Sequence, residues 1–599
     1  MDTQKGFSVI EVILATALFV VFSVASVTII LQGFDANRSG VEQTIANQFA
    51  TEGIEAARSI KNQVYSNLSS TLCVSGAGIQ QVGNVWTFKA SGTSDILQSK
   101  YTRIIKVCDV ERDINGDIVA SGGTSDTNTK KITVTVSWNA TTARSNSVIL
   151  NTYLTNWKKM KGGLLVYGNG GTTADTVTYR LFDGKTGAWG TATNFDIDTS
   201  ATNKALRAAR TYSSSTREEK ILISRHYNGT AQVIYASVWN GSSWSSTQLS
   251  TWNATTFLDV LNFDGTYLAN GNFMVVYSDN TVIPKTRIWN GSSWAAQTSL
   301  TTLGASQIPT FIIASARPNT DEIMASFYTQ LSDTLTEYYS GSAWSAITSH
   351  AATAPLTTKR FIDFAWSPNT VTTGALVYSD SATDKQINAR IWVANGTGSG
   401  AWGTTAQATA QTNNLGALTV VARSGANEFQ ACNKDAGATP TIRCYKLTFS
   451  GSTATWSNPT NQAIAAATDT GIQRSYDMDY ETTSGVNALI VYSDNTAIPK
   501  LKKYAAGTST WDAAATNIST GAFTLGSPVR TVRMIPRSSN DDDDLMILIA
   551  DNNLDLYTIF WDGTANTVYT TPAGKVFSQH GTSGAVTTDF WYDFAWDKL

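Results

Sequence analysis

MVVYSDNTVIPKTRIWNGSSW (274–294) and LIVYSDNTAIPKLKKYAAGTSTW (489–511) are two copies of one pattern. Each passes from an apolar strand through an S-D-N turn into a second strand and a closing tryptophan. Weaker copies read ALVYSDSATDKQINARIWVANGTGSGAW (375–402) and DTLTEYYSGSAW (333–344). The closing tryptophans fall at Trp189, Trp244, Trp294, Trp344, Trp402, Trp456 and Trp511. A period of about 40–60 residues with several strands in each repeat indicates a β-propeller, not a solenoid of short turns.

Each repeat reads as four strands. An inner strand such as FIDFAWS (361–367) precedes an apolar second strand such as ALVYSD (375–380). The third strand ends in a W-N-G or related turn, and the fourth starts at the closing tryptophan. Second strands are found at LLVYG (164), ILIS (221), FMVVY (273), EIMAS (322), ALVY (375), EFQAC (428), ALIVY (488) and LMILI (545), which makes eight. The repeat region opens on a second strand, GGLLVYG, and the chain ends in FWYDFAWDKL (590–599), which is similar to FIDFAWS. The C-terminus is therefore expected to supply the first blade's missing inner strand, closing the ring and hiding its edges. Seven blades would require a weaker repeat near 428 to be an insertion. The turns W-N-G-S-S-W, Y-S-G-S-A-W and F-D-G-K-T-G-A-W resemble degenerate Asp-box turns of sialidase-like propellers. That box is structural and transfers no activity.

The other decisive stretch is KGFSVIE (5–11), followed by the apolar run ILATALFVVFSVASVTIIL. Residues 7–31 are long and apolar enough to span a bilayer as a helix. Glu11 stands inside that segment, where a charge costs roughly 2.5–3.5 kcal/mol at the bilayer centre. The short leader carries Lys5, consistent with a cytoplasmic start. These residues resemble the class III signal of type IV pilins and pseudopilins. The resemblance implies cleavage after Gly6 by a prepilin peptidase that also N-methylates Phe7. It implies that Glu11 pairs with a neighbouring subunit's N-terminal amine during assembly, an ammonium partner offsetting the buried carboxylate. It also implies a single-pass protein of the cytoplasmic membrane that later joins a surface filament.

The helix is expected to continue. Ile45, Phe49, Ile54, Ala57, Ile60 and Val64 recur as one apolar face, with Gly33 and Gly40 as soft points. From residue 7 to 67 it would be a rod of about 90 Å. Strands are read at 85–90, 101–109, 130–139 and 146–157, and resemble the small sheet that packs on a pilin helix. The expected organisation is a leader (1–6), a membrane helix (7–31), the rest of the pilin-like module (32–157) and a propeller (158–599).

Four cysteines in an exported chain suggest bridges, and proximity suggests Cys73 with Cys108 and Cys432 with Cys444. No C-x-x-C pair occurs, and His226, His350 and His580 are scattered, so no metal site or cofactor is read. DINGD (113–117) and Asp541–Asp544 carry weak calcium readings, a hairpin turn and a solvated loop being the blander ones. Charged residues are 15% and net charge is −3, which argues against a nucleic-acid surface.

Arg207, Arg210, Arg317, Arg360 and Arg423 lie on or just after inner strands, but no spacing makes a catalytic triad of them. Asp363, Asp477, Asp479 and Asp593 also fall on inner strands, and no catalytic pair can be selected. No nucleophile elbow, P-loop or dinucleotide fingerprint occurs. Repeated tryptophans are read as packing. The unrepeated Trp252, Trp366, Trp591 and Trp596 are read as candidates for stacking on a sugar. The expected function is a non-enzymatic minor or tip pilus subunit that binds a glycan or protein surface. The alternatives are a tethered glycan-active enzyme and a pseudopilin of a secretion or DNA-uptake system.

Overall fold

The computed structural model describes residues 8–598, apart from 64, 84, 114–116, 142–143, 156–161, 169–176, 185–186, 196, 198–204, 228–229, 254–259, 353–359, 382, 397, 469–473, 483, 519–524, 538–542, 564–566, 569–577 and 583–589. Gly6, Phe7 and Val64 thus lie outside the described residues. The chain divides into two compact units, Met1–Trp157 and Lys158–Leu599.

The first unit is organised by one helix, α1 (Val9–Gln63), of 55 residues. Its start is a capping box. The Ser8 amide donates to Glu11 Oε2 at 3.0 Å, and Ser8 Oγ accepts the Ile10 amide at 3.3 Å. Residues 9–22 are all exposed, and the helix's apolar window has a mean hydropathy of 2.5. Gly33 and Gly40 do not interrupt it. Burial begins at Glu42 and follows one face through Ala46, Ala50, Gly53, Ile54, Ala57 and Ile60. That face lies on an antiparallel sheet in the spatial order Asp95–Leu97, Tyr101–Arg112, Thr124–Thr141, Arg144–Thr155. Alternate residues Ile105, Val107, Ile132, Val134 and Val136 form the facing core, the period-2 signature of a one-sided sheet. The approach is close at Gly53, where a Cβ would meet Val134 Cγ1 at 2.9 Å.

Two charged networks pin this helix. Glu42 accepts from Trp138 Nε1 at 2.9 Å and pairs with Lys100 and Arg38. The Lys100 hydrogen bond holds its carboxyl below the ordinary range. Buried Arg103 bridges the Phe49 carbonyl and Asp95, whose carboxylate also accepts the Ile79 amide. Cys73–Cys108 ties a short helix, Leu72–Ser75, to the second strand.

The second unit is a β-propeller. Among the described residues it contains eight antiparallel sheets, each with a path of four strands. In chain order of their second strands, sheets one to eight have the inner strands Tyr592–Trp596, Ala205–Ser213, Phe263–Tyr267, Pro309–Ala316, Ile362–Trp366, Ala417–Ala422, Tyr476–Tyr480 and Val529–Pro536. Sheet one joins the two ends of the unit: Tyr592–Trp596 pairs with Gly163–Gly168, with Asp593 opposite Val166. Each inner strand neighbours the next, and Val529–Pro536 neighbours Tyr592–Trp596. The tight turns follow local chemistry. Asn290 Oδ1 accepts the Ser292 and Ser293 amides, and Gly291 takes φ 96°. In the S-D-N turns Asn280 and Asn495 sit at φ 65° and 67°, a region asparagine tolerates, and Asp279 and Asp494 accept the amides two residues on. Cys432 and Cys444 bridge directly paired strands of sheet six.

Candidate ligand site in the central channel

The inner strands of the odd-numbered sheets share one sequence element: an aspartate followed three residues later by an aromatic. The copies are Asp264/Tyr267, Asp363/Trp366, Asp477/Tyr480 and Asp593/Trp596. Residues three apart on a strand point to opposite faces. Each element therefore reaches both neighbouring sheets.

The aspartates reach forward. Asp593 accepts the Thr211 amide at 2.7 Å, Asp264 that of Ala314 at 3.0 Å, Asp363 that of Val420 at 2.9 Å and Asp477 that of Met534 at 2.9 Å. Three residues before each aspartate, a carbonyl accepts a second amide. The pairs are Phe590 with Ala209, Leu261 with Ile312, Arg360 with Leu418 and Arg474 with Val532. The aromatics reach back. Tyr267 and Tyr480 donate to Glu219 and Glu428, and Trp366 and Trp596 donate to the carbonyls of Ser315 and Ile535.

The even-numbered sheets answer with arginine–acid pairs whose acids are buried: Arg217–Glu219, Arg317–Glu322, Arg423–Glu428 and Arg537–Asp544. Arg217, Arg317 and Arg423 also donate to carbonyls of the following sheet, at Gly271, Val371 and Gly485. Arg537 lies 5.1 Å from the centre of the Trp596 ring.

These contacts correct several sequence-based expectations. Trp366 and Trp596 are buried seam residues with satisfied indole N–H groups, and Trp591 is fully buried, so none presents a face for stacking on a sugar. Trp252 is partly buried against the core. Arg317 and Arg423 serve seams, and Arg207 lies over the Tyr227 ring. Asp113 and Asp117 close on each other through the Asp117 amide at 2.9 Å, while 114–116 lie outside the described residues. Asp541 and Asp542 also lie outside them. Asp543 accepts the Ser484 amide, and Asp544 holds Arg537. No cluster of metal-ligating side chains occurs among the described residues.

What does converge is a charged channel. Arg210, Arg360, Arg474 and Arg533 line it together with Asp264, Asp363, Asp477 and Asp479, around a chamber of ≈ 220 Å³. Arg210 and Arg360 were legible as inner-strand arginines; Arg474 and Arg533 were not. Arg360 pairs with Asp363 at 2.5 Å, Arg474 with Asp477 at 3.3 Å and Arg533 with Asp593 at 2.5 Å. Asp264 instead accepts the Tyr212 hydroxyl at 2.5 Å, and burial raises its carboxyl above the ordinary range. Burial and the Asp477 charge push Asp479 up to about 8, so it is largely protonated at neutral pH. Leu261, Phe311 and Ile313 make one wall apolar.

No family model matches the chain, and no curated protein matches it. Solved structures do. The BP39L lectin from Burkholderia pseudomallei is 12% identical, with 61% of this chain and 98% of that chain covered and a TM-score of 0.43. The Dos1 propeller is 9% identical, with 67% and 93% covered and a TM-score of 0.40. The six-bladed lectin from Aleuria aurantia is 14% identical, with 65% and 98% covered and a TM-score of 0.29. At these values they bring no residue and no ligand to this channel.

Proposed function

We propose that this chain is a minor or tip subunit of a type IV pilus-like filament, carrying an eight-bladed propeller closed by its C-terminal strand as a ligand-binding head. The observation that carries the reading is the N-terminal helix. Its first half is apolar and exposed with Glu11 at its start, and its second half packs on a small antiparallel sheet. A prepilin peptidase cuts after Gly6 and methylates Phe7. The membrane holds the subunit until its helix enters a bundle of other pilin subunits, where Glu11 meets a neighbour's amine. The propeller, spanning residues 158–599, is too bulky to repeat at every step of a thin fibre and belongs at a rare or terminal position. Outside the cell, where both disulfides are stable, it binds a glycan or protein surface.

Co-expression with a prepilin peptidase, followed by intact-mass measurement, tests this. Loss of MDTQKG with one added methyl is the expected result. An uncut chain, indifferent to substitution of Gly6, sinks it.

The enzymatic alternative draws on the convergent arginines and carboxylates. Binding is favoured over catalysis because Asp363, Asp477 and Asp593 are already committed, each to a neighbouring amide and to an arginine. A carboxylate so engaged has little capacity left for proton transfer.

A further inference from the structure

Three of the four channel arginines have a carboxylate within 4.0 Å, and Arg210 has none among the described residues. Its guanidinium also makes no hydrogen bond there, although only 7% of the residue is exposed. The guanidinium carbon lies 6.0 Å from the centre of the Phe590 ring. A buried cation without a directly paired counter-charge is costly, and here the carboxylates of Asp593 and Asp264 act on it only from beyond pairing distance. Burial, and then the nearby Arg533, lower its guanidinium to about 10 against the opposing pull of Asp593 and Asp264, which leaves it charged at neutral pH.

The surroundings are selective. A small cavity that shares the four arginines with the chamber is lined by Arg210, Arg360, Arg474, Arg533, Thr531, Val532, Phe590 and Tyr592, four guanidiniums and no carboxylate. The free volume there, ≈ 30 Å³, accommodates a group the size of one small oxyanion. Guanidinium forks match the planar geometry of such a group. The aspartates that balance the other three arginines are also engaged by amides of the next sheet.

We infer that this arginine-lined cavity binds a single oxyanion group, carried on a sugar or other small polar ligand, with Arg210 as its principal counter-ion. Phe590 and Tyr592 would provide an apolar flank for the ligand's carbon skeleton. The inference rests on the ligand-binding part of the reading above and is independent of its filament part.

The test uses the full chain in detergent micelles. The thermal midpoint is measured against sodium glucuronate, sulfate and phosphate, with glucose and sodium chloride at matched ionic strength as controls. A saturable rise with an oxyanion beyond the chloride control supports the site. Glucuronate acting at lower concentration than sulfate or phosphate assigns an acidic sugar, and the reverse order assigns a free inorganic anion. Arg210→Met should weaken apparent affinity about tenfold or more and should itself raise the ligand-free midpoint. Arg210→Lys keeps the charge and should retain part of the response if the Met variant does not fold. No oxyanion response, or an equal response in Arg210→Met, overturns the inference. Glu11→Ala is expected to abolish filaments while leaving the anion response intact, so the two readings fail separately.

Discussion

The seams that follow odd-numbered sheets and those that follow even-numbered sheets join the same kind of surface with different chemistry. In the first kind, a carboxylate on an inner strand takes a backbone amide of the next sheet, beside a main-chain bond between the two strands. In the second kind, an arginine–acid pair within the even-numbered sheet faces the gap, three of the four arginines donate across it to carbonyls, and an aromatic from the following sheet docks on the pair or beside it. The structural repeat is therefore two sheets, not one. This explains why the best sequence copies, at 274–294 and 489–511, lie in sheets three and seven. It also explains why the channel is charged: most of its ions hold the ring together, and Arg210 stands apart.

The largest test of that difference is removal of residues 590–599. Without Tyr592–Trp596, sheet one loses its inner strand and both of its seams, and cooperative unfolding should vanish from calorimetry. Next, Asp593→Ala leaves the Thr211 amide and Arg533 without their partner and should cost about 3–5 kcal/mol in urea denaturation. Arg423→Met should cost less, about 1–3 kcal/mol, because Glu428 keeps Lys446 and Tyr480 as partners. Equal losses in the two variants would erase the distinction between the seams.

Acid should separate the seams further. His350 and His580 occupy matching places at the four-to-five and eight-to-one seams. Each bonds a threonine of its own sheet, and each meets a tryptophan of the next edge-on, at 4.7 and 4.6 Å. Burial, then Arg390 or Arg180, lowers both from 6.5 to about 3. Their folded pKa lies below the unfolded one. Their contribution is thus complete above about pH 6.5 and is lost as pH falls toward 3, where the unfolded chain takes up protons first. The urea midpoint should drop from pH 7.5 to 5, and less so in His350→Gln with His580→Gln. An opposite trend is expected from Asp479→Asn. Its raised carboxyl costs nothing below the ordinary value of 3.8 and disfavours folding progressively as pH rises from there to about 8, so the variant's stability relative to the parent should rise across that range and level off above it.

Much of this architecture was legible in sequence. The spacing of closing tryptophans, the likeness of FWYDFAW to FIDFAW and the long apolar start each reported a periodic or local constraint. The Asp-x-x-aromatic element was seen in only two of its four copies, because F-D-G-T-Y and Y-D-M-D-Y share little else with F-A-W. One difference has a steric cause. In sheet five the Phe364 ring covers Gly374, whereas in sheet three the glycine has moved to the inner strand, Gly265, beneath Phe273. Exchanging the partners preserves the packing and hides the repeat. Trp366, Trp591 and Trp596 were misread because a residue that does not repeat in type can still repeat in role: Tyr267 and Tyr480 do the work of the first and last. Arg474 and Arg533 were missed because convergence on a channel depends on contacts between strands far apart in sequence, which no local window contains.

The entry of the chain into the ring has a mechanical consequence. Gly163–Gly168 is bonded on one side to Val177–Asp183 and on the other to the C-terminal strand. Tension applied from the N-terminal side at residue 162 therefore loads two ladders together. Bonds loaded in parallel along a strand share a force that a free edge strand would release one bond at a time. A unit held through such a strand can remain folded under a steady pull, with Tyr592–Trp596 sharing the load.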